Sequence, residues 1–246
     1  MSVLGNLLKG VLKFSKNVQP SLVKRLAELQ KQPQTKAVMF SCMDSRVLTS
    51  DIMQTEPGDM FIIRNAGNFI PKGEGAESST EGGALELGCV INKIRHVIVC
   101  GHSDCKAMHA LYGMRDIINE PKKESPLTSW IQKCGKPTLK KFGELEKSDG
   151  RGPISFSEEL KPFTAKIDTS FSTVDRLSMV NTLQQISHIS AFPIIKKSLE
   201  EGHIKIHALW FNTFTGDVLM FSRQKGEFIN ITEDTYLDLA QDGESY

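Results

Sequence analysis

Five residues in two short clusters could do chemistry together. Cys42, Asp44 and Arg46 lie in the run CMDSR at 42–46, and His102 and Cys105 bracket the run HSDC at 102–105. Two thiolates and one imidazole are soft-to-borderline donors. Such a set suits tetrahedral Zn2+ and leaves a fourth position open, the mark of a catalytic rather than a structural site. Zinc lowers the pKa of bound water to roughly 7, so a hydroxide nucleophile exists at neutral pH. An Arg two residues from an Asp can pair with it through bidentate, charge-assisted bonds, keeping it ionised and aimed as an acceptor. Beside zinc, Asp44 has two options. It can occupy the fourth site and block it, or turn to Arg46 and accept a hydrogen bond from zinc-bound water or hydroxide. A compact site with one open position suits a small electrophile. Neither cluster is specific alone, and two buried free cysteines are the competing reading of Cys42 and Cys105.

The clusters are about 60 residues apart in sequence, so a fold must join them. Ala37–Ser41 is short and apolar and reads as a strand ending at the first cluster. His96–Gly101, apolar on both faces, reads as a buried parallel strand ending at the second. Met60–Arg64 is a further strand after the turn Pro57-Gly58-Asp59. Gly67–Gly83 reads as a loop, and Ala84–Asn92 and Lys106–Ile118 have helical spacing. Ile204–Phe211 and Val218–Ser222 flank the tight turn at 213–217 and form a hairpin. The expectation is a three-layer α/β fold: a mostly parallel central β-sheet flanked by helices, with an antiparallel edge hairpin. Both clusters then lie outside the carboxyl ends of strands, where parallel α/β sheets bind ligands. The helix entered at Cys105 favours a thiolate there.

The bulk numbers agree with one domain over 1–246. The chain has 39% apolar and 24% charged residues and a formal net charge of +1. That charge gives no reason to expect a nucleic-acid partner, and no apolar run approaches the ~20 residues that span a bilayer. The cysteine count is odd, at five, and no secretory signal is evident, which favours a reducing compartment with free thiols. Residues 1–30 read as an amphipathic helical arm. Its first 27 residues contain no acid, and Lys9, Lys13, Lys16, Lys24 and Arg25 are interleaved with Leu4, Leu7, Leu8, Val11, Leu12 and Phe14. A mitochondrial transit peptide and a helix packed on the body or on a neighbouring subunit both fit that pattern. The address is therefore mitochondrial or cytoplasmic, not secreted. Residues 119–176, rich in Pro, Gly, Lys and Ser, read as an irregular insertion with one or two short helices.

At these residues the sequence resembles the β-class carbonic anhydrases, the animal members most closely. The matching stretches are CMDSRV at 42–47, GDMFIIRNAGN at 58–68, ALELG at 84–88, VIVCGHSDCKAM at 97–108, NTLQQI at 181–186 and IHALWF at 206–211. The resemblance implies reversible hydration of carbon dioxide to bicarbonate and a proton by zinc-bound hydroxide. By it Cys42, His102 and Cys105 bind one Zn2+ per chain, and Asp44 and Arg46 are the dyad that orients the hydroxide. It also implies a homodimer or a multiple of dimers. Arg64 matches a bicarbonate-binding position of some bacterial members. Those members have a Trp where Met39 stands and a Tyr where Phe211 stands. The departures favour an Asp44 turned to Arg46. His109 could shuttle protons, but a packed or surface histidine is the simpler reading. His207, Cys89 and Cys100 read as core residues.

Overall fold

The structure, a computed structural model, describes residues 2–120, 125–157 and 160–245. The chain opens with two helices, α1 (Val3–Asn17) and α2 (Gln19–Lys31), neither of which buries a residue. Strand β1 (Ala37–Cys42) follows, then the short α3 (Thr49–Ile52), β2 (Met60–Asn65) and α4 (Thr80–Leu85), which widens into a π-helical turn at Glu86–Ile91. Next come β3 (His96–His102), α5 (Lys106–Gly113) and the 22-residue α6 (Pro126–Lys147). The rest is β4 (Ile154–Phe156), β5 (Phe163–Ala165), α7 (Thr173–Ser190), α8 (Pro193–Glu200), β6 (Lys205–Phe211), β7 (Val218–Ser222), β8 (Glu227–Asn230) and α9 (Tyr236–Ser245).

The central sheet runs in the order β2-β1-β3-β6-β7-β8. The first four strands are parallel, and β6-β7 and β7-β8 are antiparallel. The anticipated edge hairpin is thus extended by a third strand, β8. Its four residues are too few to show a polarity pattern. Alternation sorts the central strands onto two faces. Val38, Val97 and Ile206 share one row and Phe40, Val99 and Ala208 the next, and all six join the main core. Met39, Ile98, Cys100 and Leu209 face the other way in a smaller cluster. Each such side chain removed from water contributes about 1.5–3 kcal/mol.

Helix α7 lies on the main face with β3 and β6 beside it. Only glycine at position 101 permits this approach, because a Cβ there would collide with Thr182 and come within 3.1 Å of the Trp210 ring.

Three expectations are corrected. The stretch 119–176 is not irregular: α6 fills 126–147, and β4 pairs with β5, while 121–124 and 158–159 of that stretch lie outside the described residues. Ser125 caps α6 by accepting from the Thr128 amide, and Pro126 occupies the first turn, where its missing N–H costs nothing. A stripe at Ile131, Cys134, Thr138, Phe142 and Leu145 is buried and outweighs Pro137 within the helix. The helix expected over Lys106–Ile118 stops at Gly113 in a series of turns. The loop expected to reach Gly83 ends at Ser79, whose hydroxyl caps α4 by accepting from the Gly82 amide at 3.0 Å.

Candidate metal centre

Cys42 ends β1 and His102 ends β3. These strands are adjacent and parallel, with Ser41 opposite Cys100, so their carboxyl ends emerge together. The chain leaves β3 through Asp104, whose φ of 52° lies in the left-handed region that Asp tolerates. Cys105 then becomes the N-cap of α5. The Cys42 and Cys105 sulfurs stand 3.9 Å apart. The donor atoms of Cys42, His102 and Cys105 all lie within 4.8 Å of one another. Two thiolates bound tetrahedrally to one zinc at ~2.3 Å each stand about 3.8 Å apart, so the spacing fits.

The imidazole fits as well. His102 is fully buried, and its Nδ1 donates to the Ser103 carbonyl at 2.7 Å. Because a carbonyl only accepts, Nε2 carries the lone pair. Nε2 has no hydrogen-bond partner among the described residues. A buried bare nitrogen beside two sulfurs is an orphan that a cation satisfies.

The thiols behave as a pair. The hydrogen bond with Cys105 draws the Cys42 thiol well below its ordinary range. The same bond, burial and the Cys42 charge push Cys105 up, while the Ala107 and Met108 amides at the head of α5 pull it down. A divalent cation takes the place of the shared proton and lets both ionise. The other cysteines lack such help. Burial pushes Cys89 to about 11, and it is the main cause that takes Cys100 and Cys134 to about 12. All five cysteines are free and buried, and only Cys42 is drawn toward thiolate.

Asp44 faces Arg46. Its Oδ1 accepts from the Arg46 backbone amide and from Nε, each at 3.0 Å, and Oδ2 accepts from Nη2 at 2.8 Å. These bonds hold the carboxyl far below the usual carboxylate range. Arg46 is held in turn by Asp104, whose Oδ2 accepts from Nη1 at 2.8 Å and whose carbonyl accepts from Nη2 at 3.1 Å. Asp44 is not among the groups that converge on the metal position. Arg64 spans the same loop from β2, donating to the Cys42 carbonyl at 3.0 Å and to the Asp44 carbonyl at 2.6 Å. His109 does reach the cluster, with Nε2 at 3.3 Å from Asp104 Oδ1, yet it is largely exposed.

Sequence reasoning missed the residues that brace the site from α7. Asp175 Oδ1 accepts from the Asp104 amide at 2.7 Å, and its Oδ2 accepts from Ser172 Oγ, so one side chain holds both the ligand loop and the helix cap. Ser178 Oγ donates to the His102 carbonyl at 2.7 Å and accepts from Trp210 Nε1 at 3.1 Å. Asn181 donates to the Gly67 carbonyl at 2.9 Å. The usable signals were the Ser-x-x-Asp spacing at 172–175, which resembles a helix cap, and the NTLQQI stretch.

A parallel α/β sheet that presents two thiols and an imidazole at adjacent strand ends, with a fourth position open, defines a catalytic zinc-site protein. The carbonic anhydrase family model matches residues 37–218. Beta carbonic anhydrase 1 of Caenorhabditis briggsae is 39% identical over 96% of this chain and 92% of its own length, and the protein of that name in Caenorhabditis elegans is 39% identical over 96% and 91%. Among solved structures, the β-carbonic anhydrase CcaA superposes with a TM-score of 0.75 at 26% identity, covering 94% of this chain and 92% of that one. The chain belongs to the carbonic anhydrase family, in its β class, and its cofactor is zinc.

Proposed function

We propose that the protein catalyses the reversible hydration of carbon dioxide to bicarbonate and a proton, with one zinc held by Cys42, His102 and Cys105. The observation that carries this reading is the Asp44 side chain. It is turned to Arg46 and leaves the fourth position of the three-donor cluster open. Zinc, when bound there, supplies the Lewis acidity that makes water a nucleophile near neutral pH. Asp44 orients that nucleophile. A carboxylate has about four acceptor positions, and Arg46 uses three of them, so Oδ2 keeps one. That remaining lone pair accepts the nucleophile's proton-bearing side and turns its own lone pair to the substrate carbon. Arg46 keeps Asp44 ionised, and Asp104 keeps Arg46 in place.

The test is stopped-flow carbon dioxide hydration with zinc measured per chain, wild type beside Cys42→Ser. Near-stoichiometric zinc and rapid hydration are expected in the wild type, with both collapsing in the variant. Wild type without zinc, or a fully active variant, would overturn the assignment.

The working unit under this reading is one catalytic domain per chain over 1–246, assembled as a homodimer or a multiple of dimers. The apolar stripe of α1, which meets water on all sides, supports the assembly. The same arm, free of acid over its first 27 residues, has the make-up of a mitochondrial targeting helix. The N-terminal mass of the cellular protein separates a cleaved, mitochondrial form from an intact, cytoplasmic one. Among the described residues no helix is long and apolar enough to cross a membrane.

A further inference from the structure

A cavity about 780 Å3 in volume opens among the turns after α5, the middle of α6, the end of β4 and the second half of α7. It shares no residue with the metal centre. Its size is that of a small-molecule site, roughly 300–1,000 Å3. Among the described residues five cations line it, Lys72, Arg115, Lys136, Lys140 and Lys141, against one acid, Glu144. In a chain of 30 basic and 29 acidic residues, that imbalance is local to this wall.

The acid is already committed. Glu144 pairs with Lys141 at 2.7 Å, and the same Nζ donates to the Ser155 carbonyl. Arg115 has Asp116 at 3.8 Å. The side chains of Lys136 and Lys140 make no ion pair or hydrogen bond with any described residue. They are four residues apart on one helix, a spacing at which like charges repel.

The second observation is independent of charge. Gln184 and Ser187 of α7 are 6% and 5% exposed and both line the cavity. Neither side chain hydrogen-bonds a described residue. The neighbouring Gln185 shows the contrast, since it accepts from the Ile70 amide and donates to Asn181, each at 2.8 Å. Their polar atoms are not sealed from solvent, so an amide and a hydroxyl without a protein partner face a basic cavity, and both can donate to phosphate oxygens.

We propose that this cavity binds a phosphorylated organic anion of the nucleoside di- or triphosphate class. The phosphates sit against Lys136 and Lys140, with Gln184 and Ser187 donating to their oxygens, and the organic body lies on Phe156, Leu139 and Ile118. Bicarbonate, with one charge and four heavy atoms, is too small to engage both α6 lysines and the α7 donors.

The test is isothermal titration calorimetry on the zinc-loaded full chain with ATP, and separately with inorganic phosphate, adenosine and bicarbonate. ATP is expected to saturate at one per chain with a Kd below about 1 mM, with the other three weaker by about ten-fold or more. The Lys136→Glu/Lys140→Glu double variant, changed at exposed positions only, should lose about ten-fold or more in ATP affinity while zinc content and hydration rate stay put. Gln184→Leu should lose affinity with no change in charge. If the double variant is misfolded by circular dichroism, the Gln/Gln pair replaces it with the same expectation. No ATP binding, affinity unchanged in both variants, or adenosine, phosphate or bicarbonate binding as tightly as ATP would each overturn the proposal.

Discussion

The role proposed for Asp44 rests on where its lone pairs point. Three are taken by Arg46 and one remains on Oδ2. An asparagine there keeps the shape but sets an NH2 group against the guanidinium or against the nucleophile. Asp44→Asn is therefore expected to keep its zinc and to lose turnover by about 10- to 100-fold, the usual effect of removing an outer partner of a metal site. Unchanged hydration at full zinc occupancy would show that Asp44 is dispensable. The three donors Cys42, His102 and Cys105 were legible in sequence because they sit in two contiguous clusters at strand ends. Asp175, Ser178 and Asn181 were not, because a polar residue on a helix shows its direction only once the helix is packed on β3.

At the scale of elements, apolar periodicity revealed β1, β2, β3, β6 and β7 with nearly their observed bounds. It was hidden in α6, where lysines and Pro137 interrupt a stripe that is buried all the same. Strand β6 carries a property that periodicity did not show. Its His207 stacks on His96 of β3, with ring centroids 5.3 Å apart and Nε2 at 3.1 Å from His96 Nδ1. Burial, then the positive charges of His96, Arg223 and Lys205, lower its pKa to about 4. The unfolded chain takes up that proton near 6.5. Folding is thus favoured fully above pH 6.5 and loses stability as pH falls from 6.5 toward 4, by up to about 1.4 kcal/mol per pH unit. Urea unfolding of wild type and His207→Gln between pH 7 and 4.5 should show a shallower fall in the variant. Parallel curves would exclude His207 as the cause. Zinc release at low pH affects both proteins alike and cancels in the difference.

At the scale of the whole molecule, the arm is the part that the single chain leaves unfinished. Leu4, Leu8, Val11 and Leu12 of α1 are each more than half exposed. Near its base the arm is tied to the body, where Arg25 lies 3.7 Å from Asp59 and Leu29 packs against Gly58. A continuous apolar stripe of this length on a folded surface marks an interaction face. Burying each leucine contributes about 1.5–3 kcal/mol, enough in sum to hold two subunits if the stripe of one lies on the other. A chain lacking residues 1–31 is therefore expected to have fewer subunits per particle by light scattering, its mass divided by that of its own chain, than the full chain, which should run as a dimer or a multiple of it. The truncated chain should still bind zinc, since Cys42, His102 and Cys105 are braced by β1, β3 and α7 and not by the arm. Equal subunit numbers for the two chains would show that the arm is not the subunit contact. Loss of zinc on truncation would show that the arm supports the site within its own chain.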